Sequence, residues 1–320
     1  MPAPATDSPS RHLLQDFPDW LPAMLVKELR QGMRAAMFVT PFIAVQFMAA
    51  LAVAFEARSG GGGGIGSPFW FIAFGVVGVI MPFRGFTALR EESDGGNSGL
   101  LMLGGLSRWQ IVLGKWLVQF ALSVLTMLSL LPYMLVRYFL GGFELIPNLL
   151  MTMNVLMVSA GVSGCIIGAS GYRPVPLRFL IAGIGCFWVI AAGSVLTTGI
   201  VALEFGGGRL FSDFRFWLTV LCAAGFQILY AVTGMQLGRA HLKLYLLPFE
   251  FAPTRSVVSL MIFLPFIVLA GGIGTLFWGA PVVLAVIIWA MIRYDRPWRP
   301  KNGQRPAQLS GMDTGWRPLS

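Results

Sequence analysis

The sequence predicts an all-α fold, a polytopic membrane helical bundle with a six-span core and a C-terminal helical hairpin (about eight spans), N- and C-termini cytoplasmic. Three observations predict it. Of 320 residues, 56% are hydrophobic and only 12% charged, about half the charged share of a soluble domain, and mean hydropathy is +0.73. The apolar residues fall in long blocks rather than at amphipathic spacing, and a block of about 20 residues crosses a hydrocarbon core about 30 Å thick. The basic residues collect between alternate blocks. Such a chain cannot cover a water-facing surface, and its net charge of +9 reads as a cytoplasmic-loop bias rather than as a nucleic-acid footprint.

Residues 1–34 are expected to form a cytoplasmic N-terminal region. Met1 to Trp20 is polar and Pro-rich, without the basic start and apolar stretch of a signal peptide, so the first span is expected to stay in the mature protein. An amphipathic entry helix follows. Leu25, Leu29 and Met33 recur at i, i+4 and i+8 and are expected to face lipid, with Lys27, Arg30 and Arg34 available to headgroups and Glu28 among them. The transmembrane domain then covers 35–293. Its spans are read as Ala35 to Phe55, Pro68 to Phe83, Trp116 to Phe139, Ile146 to Ala169, Phe179 to Leu203 and Phe216 to Leu237. The last block, Val257 to Ile292, would be a helix of about 54 Å, too long for one crossing. Breakers at Gly271-Gly272-Ile273-Gly274 and Gly279-Ala280-Pro281 suggest that it folds back as a hairpin. Residues 294–320 are expected to be a basic, disordered cytoplasmic tail.

Charge tests this topology independently. With the N-terminus inside and the spans alternating, all of the 23 basic residues fall on the cytoplasmic side except Arg58, Arg137, Arg209 and Arg215. An odd number of spans would strand the cation-rich tail outside. The outer loops are too short to fold as domains. The Gly60 to Gly64 run in the first is a flexible connector, since no Gly-Lys-Ser/Thr follows it to cradle a phosphate. The expected location is the cell membrane, in bacteria the inner one.

No residue set supports catalysis, and neither enzymatic activity nor a bound cofactor is expected of this chain. Its two histidines, His12 and His241, lie far apart, its three cysteines have no metal-ligand spacing, and no Walker A sequence is present. Carboxylates avoid the span centres: Glu56, Glu144 and Glu204 fall at outer ends, and Glu28, Glu91, Glu92 and Glu250 fall inside. That argues against a proton- or sodium-driven carrier, which keeps a costly ionisable group near the midplane. Gln46, Gln119, Asn154 and Gln227 are read as interhelical hydrogen-bonding residues ahead of substrate contacts. Arg137 is expected to snorkel to the interface. Small residues in the fourth and fifth spans, among them Gly161, Gly164, Gly168 and Gly193, point to close helix packing. Trp70, Phe71, Phe74, Phe187 and Trp188 are read as apolar span surface, suited to lipid or to a hydrophobic substrate.

The most informative stretch is the long cytoplasmic segment 84–115. An acidic, helix-compatible turn (Leu89 to Glu92) leads through glycines to an apolar strip (Leu100 to Leu103). Ser107-Arg108 then restarts a helix that runs through Lys115 into the membrane. Physical reasoning leaves two readings open, a short interfacial helix that presents polar groups to a partner and a plain solvated loop.

This order of residues resembles the permease subunits of type-2 ATP-binding cassette (ABC) transporters. The matching positions are Arg90, Glu91, Glu92, Leu100, Leu101, Leu103, Ser107, Arg108, Ile111, Gly114 and Lys115, and Lys27-Glu28-Leu29-Arg30 is similar to the family's entry helix. Gly96-Asn97 and Gly105-Leu106 depart from the family's usual Gly-Thr and Pro at those places. The resemblance implies a coupling element that docks on a separate ABC ATPase subunit, with ATP and Mg bound by that partner. It also implies a second permease copy, a lipid bilayer around the pair and an export function, with no nucleic acid involved. A non-transporting membrane scaffold or assembly protein, or a secondary carrier, would use the same helices.

Overall fold

The computed structural model describes residues 23–59, 64–94, 108–141, 145–205 and 214–241, together with 262, 263 and 265. Apart from short turns, these residues are helical, with no strand among them. α1 (Ala23–Arg34) and α2 (Ala36–Ser59) are separated by a break at Ala35, whose carbonyl caps α2 by accepting from the Phe38 and Val39 N–H groups. α3 (68–94) is one unbroken helical path of four segments: α-helical Pro68–Ala73, wide π-helical Phe74–Ile80, tight 3-10 Met81–Thr87 and α-helical Ala88–Asp94. Pro82 has no N–H for the carbonyl four residues back, and the widened and tightened turns on either side absorb that lost bond. α4 (Arg108–Ser129) and α5 (Leu131–Leu140) form one apolar stretch broken at Leu130, next to Pro132. Gly141, at φ 89°, ends α5 in a conformation that a Cβ would strain. α6 (Leu145–Ser170), α7 (Val175–Phe205) and α8 (Phe214–His241) complete the bundle.

Among the described residues, six helices are long and apolar enough to cross a membrane, which makes the chain a multi-pass membrane protein. Their contacts fix how they alternate. α3 runs parallel to α6: Trp70 Nε1 donates to Asn148 Oδ1 (3.0 Å) at one end, and the Leu89 N–H donates to Ser170 Oγ (3.3 Å) at the other. α2 likewise follows α4 and α5, with Phe38 beside Leu122, Gln46 on Ser129 and Glu56 on Arg137. α6 and α7 run antiparallel, with Asn154 bonded to Thr197 (3.0 Å) and Gly161 beside Val189. The bundle therefore has two ends. One holds α1, the end of α3 at Asp94, the start of α4 and the α6–α7 turn; the other holds the α2–α3 and α5–α6 connections.

α6 is the central helix, with 67% of its most apolar window buried in the bundle against 28% for α2. It meets α8 backbone to backbone: a Cβ on Gly164 would sit 2.6 Å from the Ala231 Cα, and one on Gly168 would collide with the Gly234 carbonyl. Small residues at these positions let the two helices approach. The in-span amides bridge helices too. Asn154 Nδ2 donates to the Gly193 carbonyl (3.0 Å), Gln227 Nε2 donates to Asn154 Oδ1 (3.3 Å), and Gln119 Nε2 donates to the Met81 carbonyl.

Three expectations are corrected here. Leu25, Leu29 and Met33 do not face lipid; they pack on Phe38, Met81, Val118 and Leu122, so α1 lies against the bundle by its apolar stripe. Trp70 is not span surface but 1% exposed, held inward by its bond to Asn148, whereas Phe71 and Phe187 are exposed. The span expected to end at Phe83 does not end there: the helix continues through the acidic turn at Leu89 to Glu92 as far as Asp94, while 95–107 of the segment lie outside the described residues. The expected hairpin in Val257 to Ile292 and the tail at 294–320 lie outside the described residues, except that 262, 263 and 265 are helical.

Candidate functional site

The end of the bundle that holds α1 also gathers the basic residues Lys27, Arg30, Arg34, Arg90, Lys115, Arg173 and Arg178, and it contains the described part of the segment singled out from sequence. There α3 projects beyond the core. Leu89, 1% exposed, seats the projection among Ile111 and Val112 of α4, Ile167 of α6 and Met235 of α8. The next residue, Arg90, is half-buried, and its Nη1 donates to the Arg173 carbonyl (3.3 Å) on the α6–α7 turn. Glu91 is exposed and accepts from Thr87 Oγ1 (2.7 Å), one helical turn back. Glu92 lies in the same helical segment, and Arg108 is the first residue of α4. Leu100, Leu101, Leu103 and Ser107 lie outside the described residues.

The entry helix is tied to this end. Lys115 Nζ pairs with Glu28 Oε1 at 3.2 Å, joining α1 to α4, while Lys27 and Arg34 are exposed and Arg30 is half-buried. Gly32 leaves room for the Arg84 guanidinium, which a Cβ there would approach to 3.1 Å. The sequence marked the charged residues of this end but missed its anchors. Nothing local in the sequence distinguishes Leu89 from the lipid-facing leucines.

The opposite end overturns the expectation for Arg137. It does not snorkel. Its side chain is 0% exposed, and Nε donates to Glu56 Oε2 at 2.8 Å. Its Nη2 donates to Ser67 Oγ (2.8 Å) and the Gly64 carbonyl (3.0 Å), and the guanidinium carbon lies 4.7 Å from the centre of the Phe69 ring. Snorkelling needs a free path to water, and here the α2–α3 connection closes over the cation and supplies it with acceptors. Glu56 stands near the end of its helix, yet is 6% exposed. Among the described residues, no group of three or more His, Cys, Asp or Glu is placed to hold a metal ion. Comparison with family models, with curated proteins and with solved structures finds no match to this chain.

Proposed function

We propose that the chain is the membrane-spanning permease subunit of an ATP-driven type-2 ABC transporter, an exporter. It would work with a second permease copy and a separate ATPase subunit that binds ATP and Mg. In this reading the bundle sits in the cell membrane, in bacteria the inner one, with its basic end and both termini in the cytoplasm.

The observation that supports this reading best is the continuity of α3. A single helical path carries the Arg90-Glu91-Glu92 turn, which resembles the family's coupling element, directly into the membrane core. Leu89, seated among residues of α4, α6 and α8, couples any displacement of that turn to three spans at once. The π and 3-10 segments within α3 give it a place to change register, as irregular turns often do at moving sites. Glu91, exposed and next to the anchor, is placed for a partner's cation.

The test is a mild-detergent isolation of the tagged protein from its native membranes, with co-purifying chains identified by mass spectrometry. A near-stoichiometric ATPase with a Walker A sequence is expected, and Glu91→Lys combined with Glu92→Lys is expected to release it while membrane insertion is retained. An intact preparation without an ATPase would sink the transporter reading in favour of a scaffold. Full ATP-dependent transport by the double variant would remove the assigned coupling residues.

A further inference from the structure

The turn between α6 and α7 brings three arginines together. The Arg173 carbonyl accepts from Arg90 Nη1 of α3 at 3.3 Å and from Arg178 Nη2 of α7 at 3.4 Å, so two cations converge on one oxygen. Arg173 adds an exposed third cation on the same turn. Arg178 is only 3% exposed, and its Nε has no hydrogen-bond partner among the described residues. Its guanidinium otherwise faces the ring of Phe86, 5.7 Å from the centroid. No acidic side chain pairs with Arg178 among the described residues. A buried guanidinium without an acidic partner calls for an anion.

The side chains below the turn indicate which kind of anion. Phe83 of α3 and Val175, Phe179 and Leu180 of α7 are exposed, and the rings of Phe86 and Phe179 meet at 4.6 Å where α3 joins α7. A cationic rim above exposed apolar side chains matches a molecule with a charged head and hydrocarbon chains. Burial pushes the phenol of Tyr172, also on the turn, above its ordinary pKa. We infer that the junction of α3 and α7 binds the phosphate of an anionic phospholipid, with Arg90 and Arg173 at the rim and Arg178 as the buried charge behind them. Basic pockets between spans on the cytoplasmic side recognise such headgroups. A free anion would make no use of the exposed apolar side chains. The inference rests on the membrane bundle and is independent of the ATPase partner.

The experiment uses the full chain in vesicles of phosphatidylcholine, with or without phosphatidylglycerol. It follows thermal unfolding in each vesicle and counts retained lipids by native mass spectrometry after extraction. The wild type is expected to retain phosphatidylglycerol in preference to phosphatidylcholine and to be stabilised by it. Arg90→Gln and Arg178→Gln are each expected to lose about fivefold of that preference. If Arg178→Gln does not fold in neutral vesicles, Arg90→Gln, at a half-buried position, decides alone. Equal retention of both lipids by the wild type, or an undiminished preference in Arg90→Gln, overturns the inference. Stabilisation by inorganic phosphate, or by an added polyglutamate, in neutral vesicles to the same extent would overturn it as well, assigning the turn to a free anion or to an acidic protein.

Discussion

Two ion pairs hold opposite ends of the same bundle, and they are built differently. At one end Arg137 and Glu56 meet at 2.8 Å with side chains 0% and 6% exposed, and the arginine has a hydroxyl, a carbonyl and an aromatic face besides. At the other, Lys115 and Glu28 meet at 3.2 Å with side chains 10% and 22% exposed. Taking one partner from the first pair leaves a charge that water cannot reach. Taking one from the second leaves a charge that water can solvate. The comparison separates a fastened end from an adjustable one. The adjustable end is also where α3 projects toward the proposed ATPase, which is where a transport cycle requires movement.

The largest effect that can break this comparison is at Arg137. Arg137→Leu is expected to cost about 3–5 kcal/mol, because Glu56 stays buried without its cation. Replacing both residues by methionine is expected to restore much of that loss, since the uncompensated charge disappears with its partner. Unfolding of the purified protein in detergent measures both. A single variant as stable as the wild type would mean that water reaches Arg137 and Glu56 freely, and the contrast between the two ends would vanish.

That pair also shows what the sequence could and could not reveal. The helices were legible because hydropathy is a local property: a run of apolar residues announces a span whatever it packs against. Arg137 was legible only as a cation near the end of such a run. Its partner lies 81 positions away, and no periodicity links the two. The stripe of Leu25, Leu29 and Met33 was visible as a stripe, but spacing does not say whether an apolar face meets lipid or protein, and here it meets α2, α3 and α4. In the candidate site the charged turn was readable while its continuity with α3 was not, because the apolar run stops at Phe83, where the backbone changes its winding instead of ending the helix. The glycines of the fourth span pointed correctly to close packing, but their partners in α8 emerge only from the fold.

A smaller effect sharpens the picture between the two ends. Gly168→Ala places a Cβ against the backbone of Gly234, so α6 and α8 must separate, at a cost of about 1–3 kcal/mol. Gly183→Ala on α7 is the control, because a Cβ there meets nothing within 4 Å. It is expected to be neutral or slightly stabilising, since alanine gives up less backbone freedom than glycine does in a helix. Equal losses at the two positions would show that glycine is needed for some reason other than the α6–α8 crossing.

The smallest effect is at the pair of Lys115 and Glu28. Glu28→Gln removes the ion pair while keeping the shape and length of the side chain, and Lys115, 10% exposed, can turn toward water or headgroups. The expected loss is below about 1 kcal/mol and shrinks further as salt is added, because screening already weakens a pair so near solvent. Leu29→Ala on the same helix is expected to cost more, since it removes part of the apolar stripe that seats α1 on Phe38, Met81, Val118 and Leu122. That ordering is the informative result. If Leu29→Ala costs more, α1 is held by contacts that permit sliding, and the ion pair only biases its position. If Glu28→Gln costs more, the end that holds α1 is as firmly fastened as the opposite one, and any movement passed from the end of α3 must reach the spans without displacing α1.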